Sequence, residues 1–181
     1  MGRFITGRAE IRQDVKTSKW LTLHNQLFID NYGLIYLVPR NTITDGYTFP
    51  MGGKMASFPV EPAIGHDFEC IYKKAIIVNI SINQLIEEGY IRAKEIYDKG
   101  NYRTIKICEN IPGRYLTIKE TTFKQTNDRF LRMMKAVGVS KFWAFGMHKA
   151  VFLNYSWFLR KSNPINFENL YNMRHGDSCK K

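Results

Sequence analysis

Three short stretches of this chain set polar, chemistry-bearing residues among apolar neighbours. They are Thr44-Asp45-Gly46-Tyr47-Thr48-Phe49-Pro50, His66-Asp67 and Asn127-Asp128. Asp45, His66, Asp67 and Asp128 are the candidate catalytic residues. A carboxylate beside an imidazole orients the ring and favours its charged form, which is the arrangement of general acid–base sites. A histidine with two or three carboxylates can instead hold a divalent cation that activates water, and His66, Asp67 and Asp128 are the candidate metal ligands. The same residues have plainer uses. Asp45 can bond its own turn backbone, His66 and Asp67 can be a satisfied core pair, and Asp128 can complement a helix dipole. Sequence leaves both uses open, and with them the question of whether the chain is an enzyme. A divalent metal is the one cofactor these residues suggest. Gly52-Gly53-Lys54 lacks the frame of a phosphate-binding loop, and no Ser-His-Asp signature is readable.

The elements that must position these residues read as α+β. Trp20 to Ile29 is an extended run, Asp30-Asn31-Tyr32-Gly33 is turn chemistry, and Leu34 to Val38 returns as a second strand. This N-terminal hairpin, or small sheet, is expected to pack on several helices. Pro62 suits the first turn of a helix carrying Ala63 to about Tyr72. On it Ala63, His66 and Cys70 share one face. Ser81-Ile82-Asn83-Gln84 is a capping-box pattern that predicts a helix to about Asp98, stopped by Gly100. Two short strands, Arg103 to Cys108 and Arg114 to Lys119, are expected around Asn110-Ile111-Pro112-Gly113. A third helix, about Thr122 to Val137, carries Phe130, Leu131, Met134 and Val137 at helical spacing. Gly138 suits its end, and Ser140 the cap of a fourth helix from Lys141 to about Tyr155. Strands first and helices later argue for α+β over a doubly wound sheet. The expected organisation is one domain over residues 1–160, with 75–120 as a helix-plus-hairpin insertion and 161–181 as a polar tail.

Composition bounds the function classes. The chain has 181 residues, 44% of them hydrophobic, enough for a core without staples. No apolar run approaches the roughly 18 residues of a membrane span. The N-terminus has no apolar stretch after its Arg residues, which argues against a signal peptide. Cys70, Cys108 and Cys179 are odd in number and widely spaced, so a structural zinc site or a disulfide framework is not indicated. The net charge of +11 favours polyanionic or acidic partners, nucleic acid among them, although the basic residues form no long run. Phe142, Trp143, Phe145, Phe152, Tyr155, Trp157 and Phe158 crowd the C-terminal part, where they suit core packing first and an interface second.

At its polar islands the chain resembles a phage and prophage family known as domain of unknown function number thirteen fifty-three. The family's Thr-Asp-x-x-Ser-x-Pro motif is similar to Thr44-Asp45-Gly46-Tyr47-Thr48-Phe49-Pro50, with Thr48 for Ser. Its His-Asp-x-x-Tyr motif is similar to His66-Asp67-Phe68-Glu69-Cys70, with Cys70 for Tyr. Its Ala-Asp pair opening a helix is similar to Asn127-Asp128, followed by Met134-Lys135-Ala136-Val137-Gly138-Val139. The order of motifs spans most of residues 20 to 155. The resemblance implies a phage-encoded protein, expected in the virion or the host cytoplasm, and the charge and aromatic C-terminal half suit docking onto other phage structural proteins. It implies no activity. The expected function is a virion-associated structural or interaction module of the tail or head–tail region. The alternatives are a metal-assisted hydrolase built on the Asp/His/Asp set and an inhibitor of a host defence protein.

Overall fold

The structure is a computed structural model that describes residues 2–6, 9–13, 19–44, 59–98 and 101–153. In chain order the elements are β1 (Arg3–Phe4), β2 (Ile11–Gln13), β3 (Trp20–Thr22), β4 (Gln26–Ile29), β5 (Ile35–Val38) and β6 (Ile43–Thr44). Then come α1 (Glu61–Tyr72), β7 (Lys74–Val78), α2 (Ile82–Glu87), β8 (Ile91–Asp98), β9 (Asn101–Cys108) and β10 (Leu116–Glu120). The helices α3 (Phe123–Ala136) and α4 (Lys141–Leu153) follow. The fold is α+β: an antiparallel five-stranded sheet, ordered β1-β4-β5-β7-β10, packs against helices. Smaller sheets are β2-β3-β6 and the β8-β9 hairpin. None of the helices among the described residues is long and apolar enough to cross a membrane.

The sheet is apolar on both faces, which explains the unbroken run Ala75-Ile76-Ile77-Val78 in β7. Ile76 and Val78 join Leu27, Ile35 and Leu37 beneath Ile64 and Phe68 of α1. Ala75 and Ile77 join Phe28 and Tyr36 around Met133 of α3. The expected hairpin is present as β4–β5. Asp30 Oδ1 accepts from the backbone N–H groups of Tyr32 and Leu34, at 2.8 and 3.0 Å, and Gly33 takes a φ of +83°.

Two expectations are corrected. The extended run from Trp20 to Ile29 breaks at Leu23–Asn25, so β3 and β4 lie in different sheets. The fully enclosed Asn25 holds this corner: its Oδ1 accepts from Arg40 N and its Nδ2 donates to Glu109 O, both at 2.8 Å. The capping box at Ser81–Gln84 forms as expected, but its helix ends at Glu87, not near Asp98. Gly89 turns the chain with a φ of +76°, and residues 91–98 become a strand paired with 101–108. That run carries helix-like charge and strand-like alternation together, and cross-strand pairing decides between them. Consequently β9 does not pair with the strand after Gly113. That strand, β10, pairs with β7 in the main sheet. Between β7 and β10 of the main sheet lie α2 and the β8–β9 hairpin, so the expected 75–120 span takes in two main-sheet strands. The third helix agrees with expectation and Gly138 follows its end, with a capping box from Thr122 and Gln125 in addition; the fourth starts at Lys141 as expected, and its expected end near Tyr155 lies outside the described residues.

Candidate functional site

α1 and α3 bring the second and third polar islands together. A Cβ on Gly65 would lie 2.8 Å from Met133 Sδ, so the missing side chain sets the close approach of the helices. One turn of α1 then presents His66, Glu69 and Cys70 to a turn of α3 that carries Thr126, Asn127, Arg129 and Phe130. These contacts form two adjoining polar centres.

The first surrounds His66. Its Nε2 lies 3.2 Å from Asn127 Oδ1 and 3.4 Å from Cys70 Sγ. Its Nδ1 lies 3.7 Å from Asp67 Oδ1 and 3.8 Å from the same sulfur. Asp67 is anchored in turn by the Thr44 hydroxyl, which donates to Oδ2 at 2.5 Å. The Phe130 ring packs on the imidazole with centroids 4.7 Å apart. Burial opposes the charged imidazolium, but the Cys70 sulfur and the Asp67 carboxylate outweigh it and raise the His66 pKa to about 10. The ring can hold its charge, orient groups and store a proton.

The second centre is a buried ion pair. Arg129 donates through Nε and an Nη to the two carboxylate oxygens of Glu69, at 2.5 and 2.9 Å, and to the Thr121 hydroxyl at 3.1 Å. Its guanidinium also lies over the Tyr36 ring, 4.5 Å from the centroid. Burial pushes the Glu69 carboxyl above its ordinary value, and the Arg129 charge acts against that. A forked, desolvated pair of this kind fixes one register of α3 on α1.

No family model, curated protein or solved structure matches the chain.

The site residues named from sequence fare differently. His66 and Asp67 are neighbours in the first centre. Asp128 is not part of it: its carboxylate is half-exposed and lies 3.6 Å from His148 Nε2. The residue that reaches His66 is the preceding one, Asn127, because one step along a helix turns a side chain by about 100°. Asp45 lies outside the described residues, so its expected approach to His66 does too. Among the described residues, no three His, Cys, Asp or Glu side chains gather in a way that could hold a metal ion. The set His66, Asp67 and Asp128 is therefore not assembled as a donor set. His24, distant from these islands in the sequence, pairs with Glu10 at 2.9 Å.

The sequence places Asn127 in the third polar island without giving it a role, and Glu69 and Arg129 were missed. A signal was present for Arg129, since Thr126, Arg129, Phe130 and Met133 recur at helical spacing and place a cation on an apolar stripe. Glu69 and Cys70 likewise sit three and four residues after His66, on its own face.

Proposed function

We propose that this chain is a phage-encoded, virion-associated interaction module that docks through α4 onto an acidic and apolar surface of another phage structural protein. The observation that carries this reading is the outer face of α4. Ala144 and Met147 are buried against Phe130, Met134 and Val139, yet Phe142, Trp143, Phe145 and Leu153 stand exposed, Phe142 by 80% and Leu153 by 87%. A helix that is apolar on both sides normally has something on both sides. Lys149 lies over the Phe145 ring at 5.3 Å, so the face combines aromatic surface with positive charge. Aromatic residues with cations are favoured at the centres of interfaces, and the net charge of +11 suits an acidic partner. Support for the phage assignment is the ordered set of motifs from Thr44 to Val139. The polar centres suit a structural part, since the Glu69–Arg129 pair and the His66 cluster lock α1 to α3. The hydrolase alternative needs a gathered donor set, and Asp128 facing His148 counts against it.

The test is mass spectrometry of gradient-purified particles from the phage or induced prophage that encodes the chain. The expected result is stoichiometric incorporation, lost when Phe142→Asp and Phe145→Asp are combined. Both positions are exposed, so the variant should retain the wild-type unfolding midpoint. Absence from particles, together with a monomer that binds no phage protein, would remove the reading. Capture of a host enzyme instead would favour the inhibitor alternative.

A further inference from the structure

We propose that Cys70, His66 and Asn127 form a nucleophilic thiol centre, at which the Cys70 sulfur is modified by small uncharged electrophiles. The inference is independent of docking through α4. His66 Nε2 meets the Asn127 carbonyl oxygen at 3.2 Å and Nδ1 faces the Asp67 carboxylate at 3.7 Å. Both are acceptors, so each ring nitrogen is best served by carrying a proton. The thiol of Cys70, 3.4 Å from Nε2, is the neighbouring group that can supply the second one. A sulfur that gives its proton to a fixed imidazole keeps the electron pair needed for attack.

The charges around the ring favour this transfer. From α1, Asp67 faces the ring and Glu69 lies nearby, with Glu69 already matched to Arg129. From α3 come the neutral Asn127 amide and the Phe130 ring, and from β6 the Thr44 hydroxyl that fixes Asp67. A second observation points to a ligand. Asn127 is 0% exposed, and its Nδ2 has no hydrogen-bond partner among the described residues. Burying an unused donor costs stability. An electrophile carrying a carbonyl oxygen would satisfy that donor. The largely enclosed sulfur restricts the class to small reagents. Cys108 shows the contrast: burial and the Glu109 charge push its thiol up to about 12.

Iodoacetamide, small, uncharged and bearing a carbonyl, is the probe. The sulfur lone pair forms the C–S bond, the C–I bond breaks, iodide leaves with its electron pair, and the thiol proton stays on His66. The experiment uses the full chain with Cys179→Ser and follows alkylation near neutral pH by peptide mass spectrometry. Cys70 should react while Cys108 does not, and His66→Gln should slow Cys70 on the order of tenfold, because a free thiol is only slightly ionised there. Asn127→Leu, which removes both the acceptor on His66 and the Nδ2 donor, should lower the rate, with circular dichroism unchanged. A second measurement needs no His66 variant: the thiolate absorbance at neutral pH should be lost in Cys70→Ser. An unreactive Cys70, equal rates in wild type and a folded His66→Gln, or no absorbance difference in Cys70→Ser would each overturn the proposal.

Discussion

A buried charge is defined by its partner, and Glu69 shows how much hangs on one residue. Its carboxylate is satisfied by a fork from Arg129 inside the α1–α3 contact. Arg129→Met should cost about 3–5 kcal/mol at neutral pH, because it strands a desolvated carboxylate. The sign of the pH dependence follows from the raised Glu69 pKa. An acid raised by folding contributes stability that is present below its unfolded value and is lost as pH rises through the folded one. Without Arg129 that pKa rises further. The variant should therefore recover stability on mild acidification, relative to wild type, in urea titrations at several pH values. Pairing Arg129→Met with Glu69→Leu should also recover most of the loss. A penalty that does not change with pH would show that Glu69 is not the stranded group. At this scale the sequence was half legible. His66 and Asp67 announce themselves among apolar neighbours, but whether Asn127 or Asp128 meets them depends on the rotation of α3. That rotation is set by Met133, Phe130 and Arg129 together, which are long-range contacts that no local pattern encodes.

Elements carry the site through their spacing. Gly65 is the closest point between α1 and α3, and its absent side chain makes room for Met133, with Val38 behind. Gly65→Ala should destabilise by about 1–3 kcal/mol despite the better helix propensity of alanine, because overpacking outweighs it. Met133→Ala in the same chain should recover part of the loss that Gly65→Ala alone causes, so a double-mutant cycle by denaturant titration should show favourable coupling. Additive losses would mean that the helices do not meet there. The same change should loosen Asn127 from His66 and so slow Cys70 alkylation. Some helix boundaries were legible in the sequence because caps are local chemistry: the Ser81–Gln84 box and Gly138 need only a few neighbouring residues. Where a helix should yield to a strand was not legible. Residues 91–98 became β8 because 101–108 offered a ladder, and α2 stopped once Leu85 was buried.

At the scale of the molecule, the β8–β9 hairpin separates what holds the fold from what can be spared. Its root belongs to the core: Ile91 and Cys108 are buried with Leu27 and Ile111, and Asn25 reaches across to Glu109 O. Its stem leaves that environment within a residue or two, since Arg92, Ala93, Lys94 and Glu95 are exposed, as are Thr104 and Lys106. Ile91→Ala should therefore cost about 2–5 kcal/mol through lost burial and a cavity. Removing 95–104 and joining Lys94 to Ile105 through Asn-Gly should cost only about 1 kcal/mol or less, because these two residues already pair and Asn-Gly favours a tight hairpin turn. Urea unfolding of the two variants gives both numbers, and a trimmed chain without a cooperative transition would show that the stem is part of the core. The trimmed chain also probes function, because α4 and its exposed aromatic residues are untouched. If docking runs through α4, trimmed protein should enter particles at the wild-type ratio. Loss of incorporation with stability intact would move the docking surface from α4 to the hairpin.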